Sequence, residues 1–367
     1  MKIKKSYQMK IPFSRRLLRL FGKAIVPLFF DLEIEGKENV PENEPLIIVG
    51  NHEGAVDAVL MATYVPRNVE MLAGDEFPQE TIVNIAKALY KVIPVKRMFM
   101  DKSALEKSLY ILDNGGVVGV FPEGGVWNAG NMEPKLGAAW LSYYSRAAIL
   151  PIAFSGSKAA WHRATHGERP NLLMKFGEII PPVETVPEPD KKEHLKKYSY
   201  KIWDTINDLL TEEEEKVTNV NFDLYVYLQD AEENSRDIHE KFQLKNKFYL
   251  GKFLHNPGVI KLFFINLELP VEVLKNLDKF HSAEKFYKAS DAILEYLEGE
   301  NPFLLMYRFG IKTGLGMKNG LQELKKLAKW ASEKNLMMKI TPIHEYYLPE
   351  KHQKIIKTSQ DEFGKWI

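Results

Sequence analysis

At 367 residues, with 45% apolar and 27% charged residues, the chain has the composition of a folded protein of about two domains, and disorder as its main state is excluded. It contains no cysteine, which excludes disulfides, Cys-ligated zinc, iron–sulfur clusters and thiol nucleophiles. The net charge of +1 conceals a bias: residues 1–30 hold eight Lys or Arg and no acid, so that segment is +8 and the rest of the chain −7.

The bias comes first in chain order. Lys2, Lys4, Lys5, Lys10, Arg15, Arg16, Arg19 and Lys23 are interleaved with Phe13, Leu17, Leu18, Leu20, Phe21, Ile25, Val26, Leu28, Phe29 and Phe30. A basic stretch with a large apolar face reads as a helix lying in a membrane interface, where each basic residue near an anionic leaflet adds roughly 1 kcal/mol. The plainer reading is a solvated basic tail followed by a helix packed on the domain. Arg19 and Lys23 interrupt the apolar stretch and no small-residue cleavage site follows, which argues against a cleavable signal peptide. The longest apolar runs (24–30, 115–122 and 147–154) fall far short of the roughly 18–20 residues of a spanning helix.

From residue 31 short apolar runs alternate with helical stretches. Strand-like runs occupy 46–50, 69–73, 92–96, 117–121, 149–154 and 172–176, with helices near 56–64, 79–90, 102–113 and 136–145. This alternation predicts an α/β domain with a mostly parallel sheet flanked by helices. The Pro-rich stretch 181–189 reads as a linker or surface strap. Leu195, Tyr198, Ile202, Ile206 and Leu209 then recur at helical spacing, ahead of the acidic run Glu212–Glu215. The expected organisation is a basic segment 1–30, a domain 31–217 and a C-terminal mixed α/β domain 218–367. In the last, strands are expected at 224–228, 259–267, 303–309 and 337–343, and helices near 271–279, 283–297 and 320–334.

Two motifs carry chemistry. Asn51-His52-x4-Asp57 directly follows a buried-looking strand. A histidine at a strand-to-helix turn suits general-base work near neutral pH, and a carboxylate on its other ring nitrogen would fix the tautomer and stabilise the imidazolium. Five residues of ideal helix is about 140° of rotation. The pair therefore meets only if His52 precedes the helix and Asp57 sits in its second turn. Phe121-Pro122-Glu123-Gly124-Gly125 ends another strand-like run, where open α/β sheets bind ligands. Each motif alone is also compatible with an ordinary surface turn.

Taken in order, Asn51-His52-x4-Asp57, the block Val95-Lys96-Arg97, Phe121-Pro122-Glu123-Gly124 and Leu150-Pro151-Ile152-Ala153 resemble the 1-acylglycerol-3-phosphate acyltransferase (glycerophospholipid acyltransferase) superfamily over roughly residues 32–210. Gly36-Lys37-Glu38-Asn39-Val40-Pro41 and Lys135-Leu136-Gly137 add context. The resemblance implies transfer of a fatty acyl group from acyl-CoA or acyl carrier protein to a lysophospholipid hydroxyl, with no cofactor or metal. It implies His52 as base and Asp57 as its orienting partner. Glu123 would bind acceptor hydroxyls, and backbone N–H groups near Gly124 and Gly125 are candidates for an oxyanion hole. Lys96, Arg97 and Lys135 are candidates for phosphate contacts. The implied setting is the cytoplasmic face of a membrane, held peripherally or monotopically on an anionic surface, with no nucleic-acid partner. The family's Thr-Arg-Ser after the third block is replaced by Gly125-Val126-Trp127, which leaves the acceptor open: a lysophosphatidate-like lipid, or a glycolipid, aminolipid or other alcohol. A reading from another class is a non-catalytic lipid-binding protein whose activity lies in residues 218–367.

Overall fold

A computed structural model of the chain describes residues 12–74, 81–96, 101–123, 134–158, 160–187, 189–210, 218–230, 244–256, 262–348 and 353–358. It divides into two compact units, residues 1–75 with 81–214, and residues 76–80 with 215–367.

The strands of the first unit are β1 (Asp31–Glu35), β2 (Leu46–Gly50), β3 (Val69–Gly74), β4 (Ile93–Val95), β5 (Val117–Val120), β6 (Ala148–Ser155) and β7 (Asn171–Phe176). Its helices are α1 (Phe13–Phe29), α2 (Ala55–Tyr64), α3 (Thr81–Tyr90), α4 (Lys102–Asp113), α5 (Gly137–Ser145), α6 (Ala160–Thr165) and α7 (Lys191–Leu209). The sheet order is β1-β7-β6-β2-β5-β3-β4. Every neighbouring pair is parallel except β6 with β7. The mostly parallel sheet expected from the sequence is therefore present, with one reversal where the only helix between β6 and β7 is the short α6.

Strand β2 shows why the sheet is covered on both sides. Leu46, Ile47, Ile48 and Val49 are fully buried. Leu46 and Ile48 join one core with Val56, Leu60 and Leu150, while Ile47 and Val49 join another with Ala138, Leu141 and Ile202. Alternate residues of a strand face opposite sides, so an unbroken apolar run needs two covering layers. Burying each such side chain contributes roughly 1.5–3 kcal/mol. Pro151 fits inside β6 because its missing N–H falls where the neighbour on that side changes, from the Ile149–Ile180 bridge to the β7 ladder that starts at Ile152. The 181–187 strap is tied down: Ser142 Oγ accepts from the Val183 N–H at 3.0 Å and the Tyr143 hydroxyl donates to Val186 O at 3.0 Å.

Helix α1 packs on α2 and α3, and its polarity is reversed from that of an ordinary surface helix. Arg15 is buried and turned inward, where its guanidinium pairs with both oxygens of Glu70, donates to the Tyr90 carbonyl at 2.9 Å and lies over the Tyr90 ring. Arg19 donates to the carbonyls of Arg67 and Val65. Burial, offset in part by Arg15 and Arg19, pushes the Tyr90 phenol up to about 12, and its hydroxyl donates to Val69 O. Gly22 permits the close approach, since a Cβ there would lie 2.5 Å from Thr63 Oγ1. Phe13, Leu17, Leu20, Phe21 and Leu28 are left outward, exposed by 50–74%. Not every basic residue of this segment is therefore free for an anionic surface: the buried Arg15 on Glu70, with the half-buried Arg19 on backbone carbonyls, attaches the helix. Lys2, Lys4, Lys5 and Lys10 lie outside the described residues.

In the second unit β8 (Thr218–Asp230), β9 (His281–Ser282), β10 (Leu336–Leu348) and β11 (Gln353–Thr358) form an antiparallel sheet, with β10 between β8 and β11. It is accompanied by α8 (Lys247–Leu254), α9 (Ala283–Gly299), α10 (Leu304–Phe309) and α11 (Ile311–Glu333). This is the mixed α/β composition expected, with local corrections. Residues 262–266 form a π-helical turn and 304–309 are helical, where strands were expected. The helix expected near 271–279 is reduced to a 3₁₀ turn, Glu272–Lys275. Short apolar runs do not distinguish a buried strand from a buried helix, and Leu262, Phe263, Leu304 and Leu305 all lie in the core between helices.

Removing one partner of a buried ion pair strands the other, at a cost of about 3–5 kcal/mol. Arg15→Ala is therefore expected to lower the unfolding free energy by about 3 kcal/mol in chemical denaturation, with earlier proteolytic cleavage within α1. Arg16→Ala, at an exposed position, is expected to change it by less than about 0.5 kcal/mol.

Candidate active site

The carboxyl ends of β2, β5 and β6 lie side by side at one edge of the sheet, because these strands are mutually parallel. Asn51-His52 leaves β2 there, Phe121-Pro122-Glu123 leaves β5 and Ser155-Gly156-Ser157 leaves β6. The ladder between β2 and β6 ends at Gly50 and Ile152. The side chain of Asn51 extends it: Oδ1 accepts from the Phe154 N–H at 2.7 Å and Nδ2 donates to Phe154 O at 2.9 Å. Being bonded on both sides, Asn51 fixes where the chain departs toward His52.

The next turn is built around Asp57. Helix α2 begins at Ala55 with Gly54 as its N-cap, so Asp57 is the third helical residue and its carboxylate reaches back to the open N–H groups ahead of the helix. Asp57 Oδ2 accepts from the backbone N–H of Glu53 and of Gly54, each at 2.8 Å, and lies 3.1 Å from His52 Nδ1. His52 does precede the helix as the spacing requires, but Asp57 sits in the first turn, not the second. Gly54 between them is extended, and a side chain there would collide with the Ser157 carbonyl. Asp57 is fully buried and the His52 side chain is 15% exposed.

An ionised carboxylate only accepts hydrogen bonds, so the proton shared with Asp57 resides on Nδ1 and Nε2 presents a lone pair. The imidazole stacks on Phe121, ring centroids 4.1 Å apart and planes 18° from parallel. With a carboxylate at one edge and an aromatic ring against one face, the imidazole has a defined orientation.

Glu123 braces the same residue from the other side. Its two oxygens accept from the His52 backbone N–H at 3.1 and 3.2 Å, and the residue is buried. Burial, with the neighbouring carboxylates of Glu53 and Asp57 acting the same way, pushes the Glu123 carboxyl well above the usual carboxylate range, against the lowering effect of the His52 hydrogen bond. The resemblance assigned Glu123 to acceptor hydroxyls; the observed bond is to the histidine's own backbone.

The other residues singled out from sequence are distributed unevenly. The Lys135 N–H donates to Pro122 O at 2.9 Å, which brings that lysine beside the Glu123 turn with an exposed side chain. Lys96 is exposed at the end of β4, three strands from β2, and its N–H donates to Asp101 Oδ2. Arg97, Gly124, Gly125 and Val126 lie outside the described residues. Asn51 and Phe121 belong to the two motifs but had no role of their own in the sequence; the structure gives Asn51 the β2–β6 junction and Phe121 the face of the imidazole. Among the described residues no group of three or more His, Asp or Glu converges as a metal-ligand set.

A buried carboxyl that prefers its proton destabilises the fold as pH rises, because the unfolded chain ionises near the ordinary Glu value while the folded group resists. Wild-type stability from this residue is intact below about pH 4 and declines above it, toward the higher folded value. Glu123→Gln keeps an acceptor for the His52 N–H. It is expected to unfold at higher denaturant concentration than wild type at pH 7.5, with the difference vanishing near pH 4.

Residues 31–155 match the family model described as Acyltransferase. The chain is 26% identical over 136 residues to the 1-acyl-sn-glycerol-3-phosphate acyltransferase of Bacillus subtilis (strain 168), covering 36% of this chain and 67% of that protein. It is 28% identical over 178 residues to 1-acyl-sn-glycerol-3-phosphate acyltransferase alpha of Mus musculus, covering 46% of this chain and 60% of that one. A crystal structure of the 1-acyl-sn-glycerophosphate acyltransferase PlsC of Thermotoga maritima is similar with a TM-score of 0.41 at 23% identity, over 53% of this chain and 78% of that chain. The family match falls wholly in the first unit and contains His52, Asp57 and Glu123. Over residues 31–155 the chain is therefore similar to an acyltransferase domain.

Proposed function

We propose that the protein transfers a fatty acyl group from a thioester, acyl-CoA or acyl carrier protein, to the free hydroxyl of a lysophospholipid of the 1-acylglycerol-3-phosphate type. The observation that carries this reading is the His52 imidazole, held by Asp57 at Nδ1 and by Glu123 through its backbone, at the carboxyl edge of a parallel sheet. The printed names of the relatives favour this acceptor.

His52 Nε2 takes the hydroxyl proton as the acceptor oxygen attacks the thioester carbonyl carbon. A C–O bond forms and the carbonyl pair moves onto oxygen. The tetrahedral intermediate then collapses, the C–S bond breaks, and the departing sulfur takes the proton held on the imidazolium. The products are an ester and a free thiol, with no acyl-enzyme. Asp57 stabilises the transient imidazolium, and Glu123 keeps the His52 backbone in register. Lys135, beside the Glu123 turn, is positioned for an acceptor phosphate. Arg97 is the other basic candidate, and Arg would bind the phosphate bidentately where Lys cannot. Val126, in place of the family's Arg, is the feature favouring a second reading, the same chemistry on a glycolipid, aminolipid or other alcohol.

Both substrates fit a site beside a membrane, with the lipid entering laterally and the thioester from the cytoplasmic side. The outward face of α1 supports peripheral attachment to an anionic surface, as does Trp161, half exposed on α6 and packed on Phe29 at 5.6 Å between ring centroids. Among the described residues no helix is long and apolar enough to cross a membrane.

With labelled acyl-CoA and acyl carrier protein donors and a panel of lysolipids, the 1-acylglycerol-3-phosphate acceptor is expected to give the highest kcat/KM. Preference for an alcohol without phosphate would select the second reading. His52→Ala and Asp57→Ala are each expected to lower kcat by about 10²–10⁴-fold. Full activity in His52→Ala would remove the mechanism. Attachment to anionic vesicles, read by co-sedimentation, is expected to weaken as salt is raised through 0.1–0.5 M, about where the Debye length falls below 10 Å.

A further inference from the structure

The outward face of α1 is not uniformly apolar. A shallow groove of about 390 Å³ runs between α1 and the chain entering β3, lined by Arg16, Arg19, Leu20, Lys23, Pro66 and Asn68. Arg16, Arg19 and Lys23 follow one another at spacings of three and four, so they share one stripe of the helix. Among the described residues no carboxylate lines the groove. The charge of Arg15 is taken by Glu70, but among the described residues no ion pair involves Arg16, Arg19 or Lys23. Helix α1 contains no acidic residue to offset them. Like charges at this spacing destabilise a helix by a few tenths of a kcal/mol per pair, which an anion in the groove would reverse. Arg19 is already fixed, its guanidinium donating to Arg67 O at 2.9 Å and Val65 O at 2.6 Å. One cation is therefore preorganised, with an exposed cation on either side of it.

Resting on the membrane-attached reading above, we propose that this groove binds the headgroup phosphate of an anionic phospholipid in the bilayer, as a lipid site separate from His52. The neighbouring side chains decide between a lipid and a free anion. Leu17, Leu20 and Phe21 stand exposed on the same helix beside the stripe. A helix lying in the interface with its apolar side chains among the acyl chains carries its basic residues at headgroup level. The groove is open along its length, so it holds a phosphate presented by a surface and does not enclose a soluble one.

The two lipid sites also sit at opposite ends of the sheet. Pro66 and Asn68 precede β3, whereas His52 follows β2, and both strands run parallel to β5. A lipid bound in the groove therefore does not occupy the reaction site. Its effect is to hold α1 flat on the surface and to select membranes rich in anionic lipid.

The test is co-sedimentation of the full chain with vesicles of phosphatidylcholine containing 30% phosphatidylglycerol. It compares Arg16→Gln/Lys23→Gln with a control that removes the same charge at two exposed lysines outside the groove, Lys37→Gln/Lys91→Gln. Arg19 is left intact because it attaches the helix. Each groove charge is expected to be worth roughly fivefold in partition coefficient, about 25-fold for the pair. The control is expected to lose less than a third of that factor. Equal losses in the two double variants would mean diffuse attraction and overturn the site. Displacement of wild type from the vesicles by 10 mM inorganic phosphate, but not by sulfate at equal ionic strength, would make the groove a site for soluble phosphate and overturn the lipid assignment. His52→Ala is expected to bind vesicles as wild type does, so a failure of the catalytic reading leaves this measurement standing.

Discussion

The local structure of the site depends on one carboxylate oxygen. Asp57 Oδ2 gathers two backbone N–H groups and the imidazole of His52, and the turn between β2 and α2 takes its shape from that convergence. The start of a helix has N–H groups without intrahelical partners. Here the side chain that satisfies them is also the group that orients the candidate base. Capping and the orientation of the imidazole are therefore not separable at this residue: the same oxygen that lets the helix begin lies on the imidazole Nδ1.

The rest of the unit is arranged to keep that turn in place. Asn51 continues the β2–β6 ladder with its side chain, Glu123 holds the His52 backbone from β5, and Phe121 lies against the ring. These contacts come from three adjacent parallel strands. A parallel sheet brings the ends of distant segments to one edge, and the core on both faces of β2 gives those ends fixed positions. Glu123 is an expensive brace. A buried carboxyl among other carboxylates opposes its own ionisation, so the fold gives up some stability at neutral pH to hold the His52 backbone.

Helix α1 has a comparable double use. Its attachment relies on polar groups facing inward, Arg15 on Glu70 and Arg19 on backbone carbonyls, which releases its apolar side chains outward. A soluble surface helix does the reverse. Removing the helix would therefore also open the core, to which Val26 belongs.

Some of this was legible in the primary structure for clear physical reasons. Runs such as Leu46–Val49, alternating with amphipathic stretches, read as strands covered on both sides in a mostly parallel sheet. The order of the four blocks, around His52 with Asp57, Arg97, Glu123 and Pro151, carries the family resemblance that the comparisons bear out. What residue order could not decide was any contact made across strands. The first-turn location of Asp57 depends on an extended Gly54, and the Glu123 bond to the His52 N–H depends on β5 lying beside β2. The inward turn of Arg15 depends on Glu70, 55 positions away. In the second unit the runs at 262–266 and 304–309 read equally well as strand or helix, and packing between helices chose helix. Local pattern determines which segments are buried and roughly how they are shaped; direction, partner and register are settled only when distant segments meet, because the energies that decide them are those of contacts between segments.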